Sequence, residues 1–377
     1  MNQSLVERVI ELAVEIQQIP SPTFHETRRA EFVRGHFLNL GLENPFLDEC
    51  GNVYACLKGK GEKPPVVVSA HLDTVFPEGT DLTETHTIDK ITGPGIGDNS
   101  LGLAGLFGLY WALSEASIDN NNGTTLPGDV WLVANVGEEG LGDLKGMKSV
   151  VDRFKGDVLA YIILEGMSLG QIYHRGLGVR RYEISVNTKG GHSWIDYGNP
   201  SAIHELAELV VKLKNLALPI EPRTTLNVGV ISGGTSVNTI AAKASMQLDL
   251  RSIGLPELGA LIRQVELLVD QTNLNGAEAI QVKAKIIGDR PAGEISAEHP
   301  LVVMARECHT VNGISTRLNI GSTDTNEPLS RGFPAICMGL TKGGGSHTTS
   351  EFIDLQPIGQ GLQILVDLVR VVLQRCN

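Results

Sequence analysis

The sequence predicts an α/β protein: a discontinuous domain built on a mixed central sheet flanked by helices, interrupted by an inserted α+β domain of ferredoxin-like pattern. Three observations carry this expectation. Continuous apolar runs such as Val66–Ala70 and Leu159–Leu164 mark strands buried on both faces. From about Gly176 the apolar residues alternate instead, in the order strand-helix-strand-strand-helix-strand, as in a sheet covered on one face. The length of 377 residues suits two domains better than one. The expected division is 1–175 with 292–377 for the outer domain and 176–291 for the insert.

The elements follow in order. Residues 4–19 repeat apolar positions at helical spacing and end at Pro20 and Pro22. Thr23 and Glu26 have the spacing of a capping box for a second helix toward Leu40, with Gly41 closing it. Asn52–Leu57 reads as a strand, Lys58–Pro65 as a turn, and Val66–Ala70 as a strand ending at His71-Leu72-Asp73. Leu101–Leu113, rich in Gly and Ala, is a helix suited to close packing on a sheet. Asp119–Gly123 is a turn. A strand from Val130 runs into Glu138-Glu139, a helix spans about 143–153, and Leu159–Leu164 ends at Glu165. In the insert, Val179–Val186, Thr225–Ile231, Ala244–Leu250 and Ile280–Ile287 are strands; Ser201–Leu213 and Pro256–Val269 are helices. After Pro291 come helices at Ala297–Val311 and Thr323–Ser330, a strand at Pro334–Leu340, a glycine-rich loop to His347 and a last helix over Pro357–Leu373.

Composition narrows the function. Acidic residues outnumber basic ones by 43 to 31, a formal charge of -12, which argues against nucleic acid as a partner. No apolar run approaches the roughly 20 residues of a membrane span. The amphipathic N-terminus is no signal peptide. Five cysteines without a Cys-x-x-Cys spacing indicate neither a disulfide framework nor a thiolate zinc site. A reducing, cytoplasmic setting is the simple expectation.

Candidate chemistry gathers at strand ends. His71, Glu138-Glu139, Glu165 and His347 each follow an apolar run, and Asp98 precedes the helix at Leu101. In open α/β sheets, sites form beyond the carboxyl ends of the strands. Adjacent carboxylates at such an end are costly unless solvent or a cation compensates them. Imidazole and carboxylate donors together suit Zn²⁺, Co²⁺ or Mn²⁺. One such residue at a strand end is ordinarily a solvated loop residue; the convergence of five segments points to a metal site. His204-Glu205-x-x-Glu208 lacks the second histidine of a helical zinc motif and reads as an exposed face. His25, His36, His86, His174, His299 and His309 read as surface residues. The glycine-rich segments match neither dinucleotide nor phosphate-loop spacing.

Taken in order, Ser69–Val75 with His71 and Asp73, Gly97-Asp98, Gly137–Gly140, Leu164-Glu165-Gly166, Gly190–Ser193 and Gly344–His347 resemble the M20 family of metallopeptidases over nearly the whole chain. That family includes tripeptidases, carboxypeptidases and amino-acid deacylases of the acetylornithine deacetylase type. The resemblance implies that His71 and Glu165 hold one divalent ion, Glu139 and His347 a second, and Asp98 bridges them. The ions would be zinc first, with cobalt or manganese as alternatives. It implies Glu138 as general base on a metal-bridging water, Asp73 as the partner of His71, and a cis peptide at Asp98-Asn99. The insert would be a lid and dimerisation domain whose His192 donates to the carbonyl oxyanion. Asn238, Arg251 and Arg290 would lie near substrate; Arg290 would fork onto a carboxylate, and Arg251 equally reads as a surface strand arginine. The activity implied is hydrolysis of an amide in small peptides by a homodimer without nucleic-acid or membrane partners. The alternatives are an N-acyl amino acid deacylase or a non-catalytic peptide-binding relative.

Overall fold

The computed structural model describes residues 1–42, 45–118, 126–276 and 279–376. The chain divides into two compact units, Met1–Gly176 with Gly293–Asn377, and Leu177–Ala292.

The first unit is built on a mixed sheet. Its four central strands, in the spatial order Gly128–Asn135, Lys63–His71, Ala160–Glu165 and Ala335–Gly339, are mutually parallel. Val53–Leu57 adds antiparallel on one side, and Gln171–Gly176 antiparallel on the other. Alternation explains why these strands read as unbroken apolar runs. Val66, Val68 and Ala70 face a core shared with the helices Gln3–Gln17, Leu101–Ile118 and Ile358–Arg375; Val67 joins Tyr161, Ile163 and Cys337 in a core on the other face, with the helix Lys145–Phe154. Both faces are covered, so apolar residues dominate both. The register aligns His71 with Asn135 and Gly339 with Glu165, so the carboxyl ends of the central strands finish along one edge.

A small antiparallel sheet also belongs to this unit. Gly343–Gly344 pairs with Phe352–Asp354, which pairs with Lys90–Thr92. Its hairpin carries His347 at the tip.

The second unit is a four-stranded antiparallel sheet in the order Thr224–Gly233, Lys243–Ser252, Gly178–Thr188, Ile280–Arg290. The helices Ala202–Lys214 and Leu255–Gly276 share one core with it, containing Ile184, Leu206, Leu248 and Val265. This is the ferredoxin-like order anticipated from alternation.

Several local expectations are corrected. Strand pairing begins at Lys63, inside the segment read as a turn, because the two prolines there leave the ladder only locally. The helix from Leu101 extends to Ile118. Gln171–Gly176 and Arg317–Gly321 are strands that hydropathy hides, since polar side chains interrupt the buried positions of the first and no residue of the second is fully buried. Thr23 and Glu26 form no capping box: the helix starts at Thr27 and neither side chain caps it. His174 and His309 are buried, each with Nδ1 against a main-chain carbonyl, rather than at the surface. The expected turn at Asp119–Gly123 lies outside the described residues. All five cysteines are free thiols. Among the described residues, no helix is long and apolar enough to cross a membrane.

Candidate metal centre

The site grows from the end of the strand Gly128–Asn135. Gly137, at φ 66°, turns the chain in the left-handed region that glycine adopts without strain. The next amides then point outward into two buried carboxylates. Gly137 N–H donates to Glu26 Oε1 at 3.1 Å. Glu138 N–H donates to Asp73 Oδ1 at 2.9 Å and Glu139 N–H to Asp73 Oδ2 at 2.8 Å. Thr23 Oγ1 donates to the same Asp73 oxygen at 2.9 Å. The residues read as a helix cap therefore brace the Glu138-Glu139 turn.

His71 ends its own strand and is 1 % exposed. Its Nδ1 lies 2.9 Å from the main-chain oxygen of Asp73 and 3.6 Å from the Asp73 carboxylate, too long for a hydrogen bond. A neutral ring donating from Nδ1 to that carbonyl presents Nε2 as a lone pair for an ion. The Nε2 atom is 3.1 Å from Asp98 Oδ1 and 3.7 Å from Glu165 Oε2. His347 Nε2 is 3.3 Å from Asp98 Oδ2 and 3.3 Å from Glu139 Oε1. The two oxygens of Asp98 thus face different imidazoles.

Two further devices place these side chains. The Asp98-Asn99 peptide is cis. Asn99, fully buried, donates from Nδ2 to the Leu164 carbonyl at 2.8 Å and accepts from Gly166 N–H at 3.0 Å, bracketing Glu165. Glycine at 102 is required for this, since a Cβ there would lie 1.9 Å from Asn99 Oδ1.

The side chains form three trios whose donor atoms lie within 4.8 Å of one another: His71 with Asp98 and Glu165, Asp98 with Glu139 and His347, and His71 with Glu138 and Glu139. Such a cluster demands positive charge. Burial pushes Asp98 up, yet hydrogen bonds from His347 and His71 outweigh it and hold the carboxyl below the usual range. Burial, together with Asp98 and Asp324, pushes Glu165 up to about 7 against the pull of His71. Asp98 and Glu139 raise His347 to about 10 against its partial burial. Burial opposes charge on His71, but Asp73, Asp98 and Glu165 raise it well above its ordinary value. A pair of divalent ions would supply that charge and leave the imidazoles neutral to ligate, so the donor set fits the metals its chemistry suggested.

Sequence reasoning missed three contributors. Glu351, fully buried, accepts from the amides of Gly97 and Asp98. Asp324, also buried, accepts from Asn135 Nδ2 at 2.7 Å. Asn99 is the third. No local pattern announces any of them; the polar character of Asn135 at the end of an apolar strand was the one visible signal.

In the second unit the two-residue strand pairing sets His192 against Thr239, next to Asn238. His192 and Asn238 are exposed there, and Ser193 N–H donates to the Asn238 carbonyl at 3.1 Å. Arg251 is half-exposed and donates to Asp249 at 2.7 Å. Arg290 is buried at the end of its strand, opposite Val179.

Comparison with known proteins finds peptidase relatives. Residues 174–277 match the peptidase dimerisation domain of the M20 peptidases, and residues 52–171 match peptidase family M28. A peptidase M20 domain-containing protein of Schizosaccharomyces pombe is 29% identical over 66% of this chain and 62% of its own length. A tripeptidase of Staphylococcus aureus superposes with a TM-score of 0.80, at 20% identity, over 98% of this chain and 99% of that one. The Bacillus subtilis YxeP protein, described as a dinuclear metal-binding peptidase of the M20 family, superposes with a TM-score of 0.71, at 16% identity, over 99% of both chains.

Proposed function

Because the chain belongs to the M20 family of metallopeptidases, we propose that this metal-dependent hydrolase cleaves the amide bond of small peptides as an exopeptidase, with two divalent ions at the strand-end cluster. The observation that carries the proposal is the divided carboxylate of Asp98, whose oxygens lie 3.1 Å from His71 Nε2 and 3.3 Å from His347 Nε2. A carboxylate placed between two imidazoles suits a bridge between two ions. His71 and Glu165 would complete one position, Glu139 and His347 the other.

Bound ions supply Lewis-acid polarisation of the scissile carbonyl and of the attacking water. The remaining work falls to the chain. Glu138 takes a proton from that water on a carboxylate oxygen as the new C–O bond forms. It returns the proton to the nitrogen as the C–N bond breaks, so the amine leaves neutral. Asp73 aims Glu138 by holding both amides of the Glu138-Glu139 turn. Neighbouring glutamates divide the roles because a carboxylate that ligates an ion tightly is a poor base. The sequence likeness to an M20 peptidase domain-containing protein supports the peptidase reading, and a substrate panel separates it from the N-acyl amino acid deacylase.

His192, Asn238, Arg251 and Arg290 remain proposed substrate contacts on the resemblance of their segments. Self-association through the second unit is proposed from the dimerisation-domain match and from its edge strand Thr224–Gly233, where Val230 and Ile231 are exposed. The test is a panel of di- and tripeptides beside N-acetyl, N-succinyl and N-carbamoyl amino acids, assayed with Zn²⁺, Co²⁺ or Mn²⁺ and after chelation. Turnover of free peptides that chelation abolishes and metal restores is the expected result. Turnover confined to acylated amino acids would replace the peptidase reading with the deacylase one.

A further inference from the structure

Asp98 carries the shared carboxylate, yet no regular ladder holds its turn, where φ and ψ are -117° and 84°. Two successive amides there converge on one acceptor. Gly97 N–H donates to Glu351 Oε1 at 2.7 Å, and Asp98 N–H donates to the same oxygen at 2.8 Å. The main chain joins the same two segments, since Gly93 N–H donates to the Glu351 carbonyl at 2.8 Å. From Glu351 two tight turns lead back to His347: Glu351 N–H donates to Thr348 at 3.1 Å, and Thr348 N–H to Gly345 at 3.0 Å. Immediately after it, Phe352 and Ile353 pair with Thr92 and Ile91. One residue therefore ties the loop of His347 to the turn of Asp98.

We infer that Glu351 is a positioning residue that fixes the spacing of Asp98 and His347, and with it the metal affinity of the position formed by Asp98, Glu139 and His347. A carboxylate is an expensive choice here. Glu351 is 0 % exposed, and among the described residues its Oε2 has no hydrogen-bond partner. Packing alone would favour an apolar side chain. The carboxylate stays because its Oε1 accepts from both the Gly97 and the Asp98 amides. The other position has its own supports: the Asp73 carbonyl orients His71, and Asn99 brackets Glu165. Loss of Glu351 should therefore weaken the two positions unequally.

The inference rests on the dimetal reading. Its test is titration of Co²⁺ alone into the metal-stripped full chain, followed by ligand-field absorbance and calorimetry, for wild type, Glu351→Ala, Glu351→Asp and Glu351→Gln. Glutamine keeps an acceptor oxygen at the same reach; aspartate is one methylene short. Wild type should bind two equivalents. Glu351→Asp and Glu351→Ala should keep one and bind the second about 10–100-fold more weakly, as is usual for partners that orient ligands. Glu351→Gln should recover the second equivalent. Should the alanine variant fail to fold, the Asp and Gln pair still decides the matter. Two wild-type affinities in Glu351→Asp, or a loss in Glu351→Gln equal to that in Glu351→Asp, would overturn the inference alone. A wild-type chain that binds fewer than two equivalents would sink the dimetal reading and this inference with it.

Discussion

Replacing Asp73 with asparagine isolates the brace beneath the Glu138-Glu139 turn. Each Asp73 oxygen serves a different amide, Oδ1 that of Glu138 at 2.9 Å and Oδ2 that of Glu139 at 2.8 Å. An asparagine of the same shape offers one oxygen and aims its NH₂ at the other amide. One buried donor is left without an acceptor, at a cost of roughly 1–3 kcal/mol. That is a large share of the roughly 5–15 kcal/mol that holds a typical domain. The hydrogen bond of His71 survives, because its Nδ1 partner is the main-chain carbonyl of residue 73, at 2.9 Å. Stability and turnover should therefore suffer more than metal binding at the His71–Glu165 position. A turn displaced by about 1 Å can lower kcat by about 100-fold. The assay is urea unfolding of the metal-stripped protein followed through Trp111 and Trp131, which lie in the first unit, beside steady-state kinetics of the metal-loaded protein. An unchanged unfolding midpoint with unchanged kcat in Asp73→Asn would refute the brace.

Other outcomes follow from the same geometry. Asn99→Ala removes the partners of the Leu164 carbonyl and the Gly166 amide, so calorimetry should show metal affinity reduced about 10–100-fold at the position that uses Glu165, with a lower melting midpoint. Burial holds His309 below the ordinary 6.5, although the Ala305 carbonyl pulls the other way. The unfolded chain binds that proton more readily, so the contribution is complete above about pH 6.5 and lost as pH falls toward the depressed folded value. Urea midpoints should therefore drop between pH 7 and 5 more steeply in wild type than in His309→Phe, and parallel slopes would remove His309 from the account.

The architecture was legible because burial on both faces is written directly into Val66–Ala70 and Leu159–Leu164, and one-faced burial into the alternation after Gly176. Strands with polar alternation, such as Gln171–Gly176, were not, because their sequence resembles a loop until a neighbour supplies the ladder. At the site, His71, Glu138, Glu139 and Glu165 stood out because each ends or follows an apolar strand. Glu26 and Thr23 misled: the spacing of a local cap is the same whether the side chains turn back to their own helix or reach toward residues 73 and 137. Glu351 and Asn99 act through main-chain amides and carbonyls of other segments, and those partners are set by tertiary packing that no spacing rule encodes.

The central claim is that Glu138 moves the proton while its neighbour Glu139 belongs to the metal. Glu138→Gln tests it most directly, with metal content by elemental analysis and peptide turnover measured on the same preparation. Two bound ions per chain with kcat lower by about 10²–10⁴-fold is the predicted result. Wild-type turnover with both ions bound would contradict the assignment, and loss of an ion would make Glu138 a ligand instead.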